Sequence, residues 1–173
     1  ALPVAGAVAL GVAWVGGVFV FDESDHQSVW VDQNGSRTQV QIDPRVDATS
    51  RAVFGETTIQ LTPRLSGTVG LRYTTEQKDI ENTGGLFGLD APMAPVAGST
   101  YGYSDSIVHT AWTPKVAVAM KLAHDAMTYV SATRGFKSGG FNLSSTQPGR
   151  GFAPEWAWNY EAGMKTTLMN GRA

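Results

Sequence analysis

Histidines at positions 26, 109 and 124 are the side chains of this sequence best suited to metal or proton chemistry, but each stands in its own segment. None has a companion at the spacing of a metal-ligand set, so they read as surface or turn histidines, and no metal site is expected. The run Asp22-Glu23-Ser24-Asp25 offers carboxylate oxygens that suit a hard cation such as calcium, and suits the solvated base of a loop equally well. The chain has no cysteine, which removes disulfides, thiolate zinc sites and cysteine nucleophiles together. It contains no Walker loop, GxGxxG or GxSxG, and Gly139-Gly140 is followed by no helix whose N-terminus would hold a phosphate. Asn34-Gly35-Ser36 and Asn142-Leu143-Ser144 fit the glycosylation sequon and supply no catalytic chemistry. Neither a catalytic group nor a cofactor is called for, and the expected class is not an enzyme.

What remains is a set of single charges: Glu56, Arg64, Arg72, Glu76, Lys115, Lys121, Arg134, Glu161 and Lys165. Their chemistry is solvation, ion steering or docking, and it depends on which face of which element carries them. From Arg64 to Glu76, Leu65, Val69, Leu71 and Tyr73 share one parity, while Arg64, Ser66, Thr68, Arg72, Thr74 and Glu76 share the other. That is a strand with one apolar face and one polar face. Trp156 to Met169 repeats the pattern, with Trp156, Trp158, Tyr160, Ala162, Met164 and Leu168 opposite Asn159, Glu161, Lys165 and Thr167. Val116, Val118, Met120 and Leu122 alternate with Lys115 and Lys121, and Val53, Ile59 and Leu61 alternate more loosely with Glu56, Thr58 and Gln60. In Ala126–Phe136 the parity is mixed, because Val130 and Ala132 go with Arg134 while Met127 and Tyr129 take the other side. Arg134 is assigned inward, a choice favoured but not compelled, since an arginine on a lipid face costs about 2–4 kcal/mol at the midplane and only about 0–1 near an interface.

Leu2 to Phe21 carries no charge and has the length of a helical membrane span. Gly6, Gly11, Gly16 and Gly17 and the many valines argue for a strand instead, and no basic start marks a signal peptide. Across 173 residues, 42% are hydrophobic and 16% charged, which excludes a highly charged disordered chain. A net charge of -2 leaves no footprint for nucleic acid. The chain opens at Ala1 and stops just after Asn170-Gly171 signals a turn, so it reads as a segment of a longer protein.

The connections between strands sort by length. Leu61-Thr62-Pro63-Arg64 and Ala123-His124-Asp125 are tight turns, whereas roughly 22–50, 77–105 and 137–154 are long and rich in Gly, Pro, Asp, Ser and Asn. Short and long ends alternate strictly, as in outer-membrane barrels, where periplasmic turns are short and extracellular loops long. Tyr73, Trp156, Trp158 and Tyr160 lie toward the long-loop ends on the apolar parity, where amphipathic rings favour a membrane interface. The expected fold is all-β: part of a transmembrane antiparallel up-and-down barrel of about six strands. These are Ala13–Phe21, Arg51–Leu61, Arg64–Gln77, Ser106–Leu122, Ala126–Lys137 and Glu155–Met169, paired in sequence order.

Thr113-Pro114-Lys115, Tyr129-Val130-Ser131, the run from Arg134 to Asn142, and Pro154-Glu155 with the run from Asn159 to Lys165 together resemble the barrel of TonB-dependent outer-membrane receptors. Trp14 to Phe19, Ala52 to Glu56 and Gly70 to Tyr73 look like upstream strands of that barrel, while Ala1 to Ala13 depart from the pattern. The resemblance implies import of a scarce ligand, such as an iron-siderophore complex, across the outer membrane of a Gram-negative bacterium. It implies as partners the outer-membrane lipid, an N-terminal plug and the remaining barrel strands of the same chain, TonB acting through a segment outside this one, and an extracellular ligand whose identity is not readable. Residues 1–173 are then one partial barrel domain without the plug. Glu56, Arg72, Glu76, Lys121, Arg134, Glu161 and Lys165 are the candidate lumen-facing residues. A passive porin and a soluble all-β binding module are the competing classes: the first needs no plug, and the second would pack its apolar faces together.

Overall fold

The computed structural model describes residues 2–8, 11–32, 35, 37–89 and 94–167. Among them run ten strands: β1 (Leu2–Val8), β2 (Val12–His26), β3 (Val29–Asp32), β4 (Thr38–Gln60), β5 (Leu65–Gly88), β6 (Tyr101–Lys121), β7 (Ala126–Lys137), β8 (Gly140–Phe141), β9 (Gly151–Phe152) and β10 (Glu155–Thr166). The main sheet follows the order β1-β2-β4-β5-β6-β7-β10, with β3 beside β4 and every pairing antiparallel. The path does not close among the described residues, so this is an arc of barrel wall. The uncharged stretch from Leu2 holds two strands, not a membrane helix: Val8 pairs with Val12, and β1 adds a strand ahead of the expected six. The expected continuation of the last strand through Leu168 and Met169, the Asn170-Gly171 turn, and Asn34 and Ser36 of the first sequon lie outside the described residues.

Directly paired residues point to the same side of a sheet, so register converts parity into faces. Val53, Tyr73 and Trp112 are partners in turn across β4, β5 and β6, as are Gly55, Leu71 and Pro114. Val116 continues to Ala132 and Tyr160, and Val118 to Val130 and Ala162. This face is mainly apolar between the tight turns and the Tyr73–Trp112 row, and Val53, Val69, Leu71, Trp112, Val116, Val118, Val130, Trp158, Tyr160 and Met164 are all exposed on it. The largest fully buried side chains among the described residues are instead Ile80 and Asn82, on the opposite, polar face.

The short connections gather at one end. Thr62 Oγ1 accepts the Leu65 N–H at 3.0 Å while the Leu61 N–H reaches the Leu65 carbonyl at 2.9 Å, closing the Pro63 turn. The His124 turn closes through Leu122 N–H to Ala126 O at 2.9 Å. Gly11, at φ +70°, supplies the left-handed residue between β1 and β2, where a Cβ would stand 2.9 Å from the Gln60 side chain. At the other end the expected long loops are shorter than their composition suggests. β4, β5 and β6 run on through 38–50, 77–88 and 101–105 as paired strands, without a continuous apolar face to announce them. Pairing of β6 to β7 stops at Lys115 and Thr133, next to Pro114, which has no N–H to donate. Beyond it β7 pairs only with β10, and residues 138–154 are free to turn back over the polar face.

Candidate functional site on the polar face

Three strands build the centre of this face from a single cross-strand row. Glu56 of β4 pairs with Gly70 of β5, which pairs with Lys115 of β6. Because Gly70 has no side chain, Glu56 reaches across it, and Lys115 Nζ donates to Glu56 Oε2 at 2.8 Å. A Cβ on Gly70 would stand 3.2 Å from that same oxygen. One row on, Arg72 lies between Phe54 and Thr113. Its guanidinium carbon sits 4.9 Å from the Phe19 ring centroid and 5.9 Å from that of Phe54, and its Nε donates to Thr74 Oγ1 at 3.0 Å. Two aromatic faces and one hydroxyl thus hold a cation that keeps donors to spare. Glu56, Arg72, Thr113, Lys115 and Thr133 border an open hollow of about 240 Å³.

Toward the long-connection end, Glu76 Oε1 lies 3.1 Å from Lys78 Nζ, and Lys78 also donates to the Gly139 carbonyl at 2.9 Å. Toward the short-turn end, Tyr129 hydrogen-bonds Glu161 through its hydroxyl, and Lys165 Nζ lies 5.3 Å from the Tyr129 ring centroid. Gly163 makes room for that ring: a Cβ there would stand 2.7 Å from the Tyr129 hydroxyl. Lys121 pairs with Met127, which pairs with Lys165, so both ammonium groups occupy the same face at its short-turn edge. Six of the seven candidate residues, Glu56, Arg72, Glu76, Lys121, Glu161 and Lys165, therefore share the polar face, in an upper, a middle and a lower group.

Arg134 borders the same hollow, but its register is that of the opposite face, and its inward assignment is corrected. It pairs with Trp158 in an unbroken ladder, which puts it on the apolar face with Val130 and Ala132. Its guanidinium carbon stands 3.9 Å from the Trp156 ring centroid, and Trp156 packs on Phe136 at 4.8 Å between centroids. The physical reason is position. Arg134 lies near the long-connection end of β7, where a lipid-facing arginine costs only about 0–1 kcal/mol and an indole face compensates it. Sequence parity missed Phe19, Phe54, Lys78, Asn82 and Tyr129 as partners of the polar face. For Tyr129 the signal is Gly163, whose missing side chain makes room for the ring; no glycine among the described residues marks Phe19, Phe54, Lys78 or Asn82 in the same way.

His109 is not a surface histidine: its Nε2 is buried against the chain at Gly139. His26 Nε2 lies 2.6 Å from Asp43 Oδ1 on the exposed side of the extended β2–β4 pair, far from His109 and His124, and no metal-holding cluster occurs among the described residues.

Among solved structures, the fold is similar to the crystal structure of the ferric yersiniabactin uptake receptor FyuA from Yersinia pestis. The two share 18% identity at a TM-score of 0.78, over 95% of this chain and 25% of that one. This chain thus spans about a quarter of the length of the receptor it matches, and the likeness establishes the shared fold. The family model described as TonB dependent receptor-like, beta-barrel matches residues 4–173, nearly the whole sequence and most of the first thirteen residues with it. An open antiparallel wall, apolar on one face and charged on the other, with its tight turns at one end, is what that family's barrel requires, and the chain belongs to the TonB-dependent receptor β-barrel family.

Proposed function

We propose that this chain is a wall segment of an outer-membrane transporter of a Gram-negative bacterium. On this reading the protein binds a scarce ligand such as an iron-siderophore complex and imports it with energy delivered through TonB. The observation that carries the proposal is the exposed apolar face itself, from Val53 through Leu71, Val118 and Val130 to Met164. An antiparallel wall of this kind leaves such a face bare only where another apolar phase covers it. Bilayer lipid is that phase, and a soluble module packed face to face would bury the same residues. The polar face then lines the lumen, where Glu56, Arg72, Glu76, Lys121, Glu161 and Lys165 meet water, the plug or the ligand. In this role they bind and steer without making or breaking covalent bonds. Residues 1–173 contribute wall only, and the plug and the TonB-contacting segment belong to other parts of the same protein.

The test is uptake by cells carrying the full-length gene, measured with a panel of radiolabelled ferric siderophores under iron limitation. The proposal expects accumulation of at least one of them that vanishes when TonB is deleted. Flux of small solutes that is indifferent to TonB identifies a passive porin and overturns it.

A further inference from the structure

The segment Ser138-Gly139-Gly140-Phe141-Asn142 belongs neither to the apolar face nor to the ion pairs of the polar one. It leaves β7 and folds back as the β8–β9 hairpin, and its glycines are there because neighbours come too close for a side chain. A Cβ on Gly139 would meet the Phe152 carbonyl and stand 2.7 Å from His109 Nε2. One on Gly140 would stand 2.7 Å from the Phe152 ring, and one on Gly151 would stand 2.8 Å from Gly140 O. Three side chains of the wall hold the hairpin down. Asn82 of β5, 0% exposed, has its Nδ2 at 3.1 Å from Leu143 O, 3.2 Å from Ser145 O and 3.2 Å from the Tyr103 hydroxyl. Lys78 donates to Gly139 O at 2.9 Å, and the Gly149 N–H donates to Asp105 Oδ2 at 2.7 Å.

The seat is not fully satisfied. Asn82 Oδ1, His109 Nε2 and Ser138 Oγ are buried around it without a hydrogen-bond partner among the described residues. Each such atom loses water and gains nothing in exchange, which favours lifting the segment off. Three anchors thus oppose three uncompensated polar atoms, the balance expected of a part that moves as a unit. We propose that residues 138–154 form a strap latched across the polar face by Asn82. On release it opens the long-connection end of the wall and frees Glu23, Asp25 and Lys78, which in the latched state line a hollow of about 260 Å³ together with the strap's own Phe141 and Phe152. Its role as a gate rests on the reading of this face as the transport path.

Asn82→Asp is the sharpest variant, because it keeps the shape and turns a donor toward two carbonyl oxygens into a carboxylate. Hydrogen–deuterium exchange of the full-length receptor in lipid nanodiscs is compared between wild type and variant. Exchange across 142–152 is expected to accelerate at least about tenfold, with the Leu61–Leu65 turn and the β7–β10 ladder unchanged. Should that variant loosen the whole sheet, Asp105→Ala decides, with faster exchange confined to the strap around Gly149. Free exchange across 142–152 already in wild type, or no change in either variant, overturns the latch. Exchange is read whether or not a ligand moves. A latched strap in a receptor without TonB-dependent uptake therefore sinks the transport reading alone, and normal uptake with a free strap sinks the latch alone.

Discussion

The wall has two halves built on the same ladders and governed by different rules. In the half nearer the tight turns, parity sorts the side chains: odd residues of β5 such as Val69 and Leu71 are exposed and apolar, while even ones such as Gly70 and Arg72 lie among Glu56, Lys115 and the Phe54 ring. In the half beyond Tyr73 and Trp112 the same strands continue in perfect register, but their apolar-face side carries Asp47 against Asp79 and Arg45 against Glu81. Backbone pairing is common to both halves, and what changes is the residue type on the apolar-face side, as the proposed lipid boundary would require. The difference teaches that hydrophobic alternation reports where a strand meets lipid, not where it ends.

The strongest way to break that comparison is to place one charge in each half. Val116→Arg, in the middle row of the first half's apolar face, is expected to destabilise the full-length receptor by about 3 kcal/mol, measured by denaturant unfolding in bilayers. Val108→Arg, equally exposed on the same side of the sheet but beyond the Trp112 row, is expected to cost less than about 0.5 kcal/mol. Equal costs would mean that no lipid boundary separates the halves.

Packing on the polar side of the first half gives the next effect. Gly163→Ala forces a Cβ toward the Tyr129 ring, which the Glu161 hydrogen bond and the Lys165 ammonium hold in place. The expected loss is about 1 kcal/mol, relieved when Tyr129→Ala is added. A loss that persists in the double variant would show that the glycine serves the backbone and not the ring.

The Glu56–Lys115 bridge is the smaller test. With side chains 32% and 40% exposed it behaves as a solvated pair, and a double-mutant cycle is expected to return about 0.5 kcal/mol, reduced by salt. A coupling of several kcal/mol would mean that this face is dry.

The smallest effect lies in the second half. Hydrogen bonds from His26 and then Ser28 hold the Asp43 carboxyl below its ordinary value of 3.8, against a minor opposing effect of burial. A depressed carboxyl contributes stability that is complete above the unfolded value and is lost as pH falls through the folded one. Protection of the Gln27 N–H, which bonds Pro44 O at 3.1 Å, is therefore expected to weaken below about pH 4, relative to a His26→Ala variant in which the dependence is flatter. The first half, lacking this contact, is expected to show no such change at the Leu61–Leu65 turn.

How much of this was legible follows from the same division. Leu65 to Tyr73 and Trp156 to Met164 announced strand, face and direction, because lipid on one side and water on the other impose period two. Residues 38–50, 77–88 and 101–105 looked like loops because water on both sides removes that period while the ladder persists. The side of Arg134 was undecided by parity, because its cost on a lipid face depends on depth, and only the register with Trp158 reveals the side it takes. The polar-face contacts were hidden for another reason: Glu56 meets Lys115 and Tyr129 meets Glu161 across 59 and 32 residues of sequence, which local pattern cannot see.

The account stands on the claim that the apolar face meets lipid and the polar face meets water. Single cysteines at Leu71, Tyr73, Val118, Trp158 and Met164, and at Arg72, Glu76, Lys121, Glu161 and Lys165, test it directly in the full-length receptor in native membranes, with labelling by a membrane-impermeant thiol reagent added to both sides. The first set is expected to stay unlabelled and the second to label, with Leu71, Arg72 and Tyr73 alternating within one strand. Uniform labelling of both sets, or labelling of the apolar set alone, would contradict it.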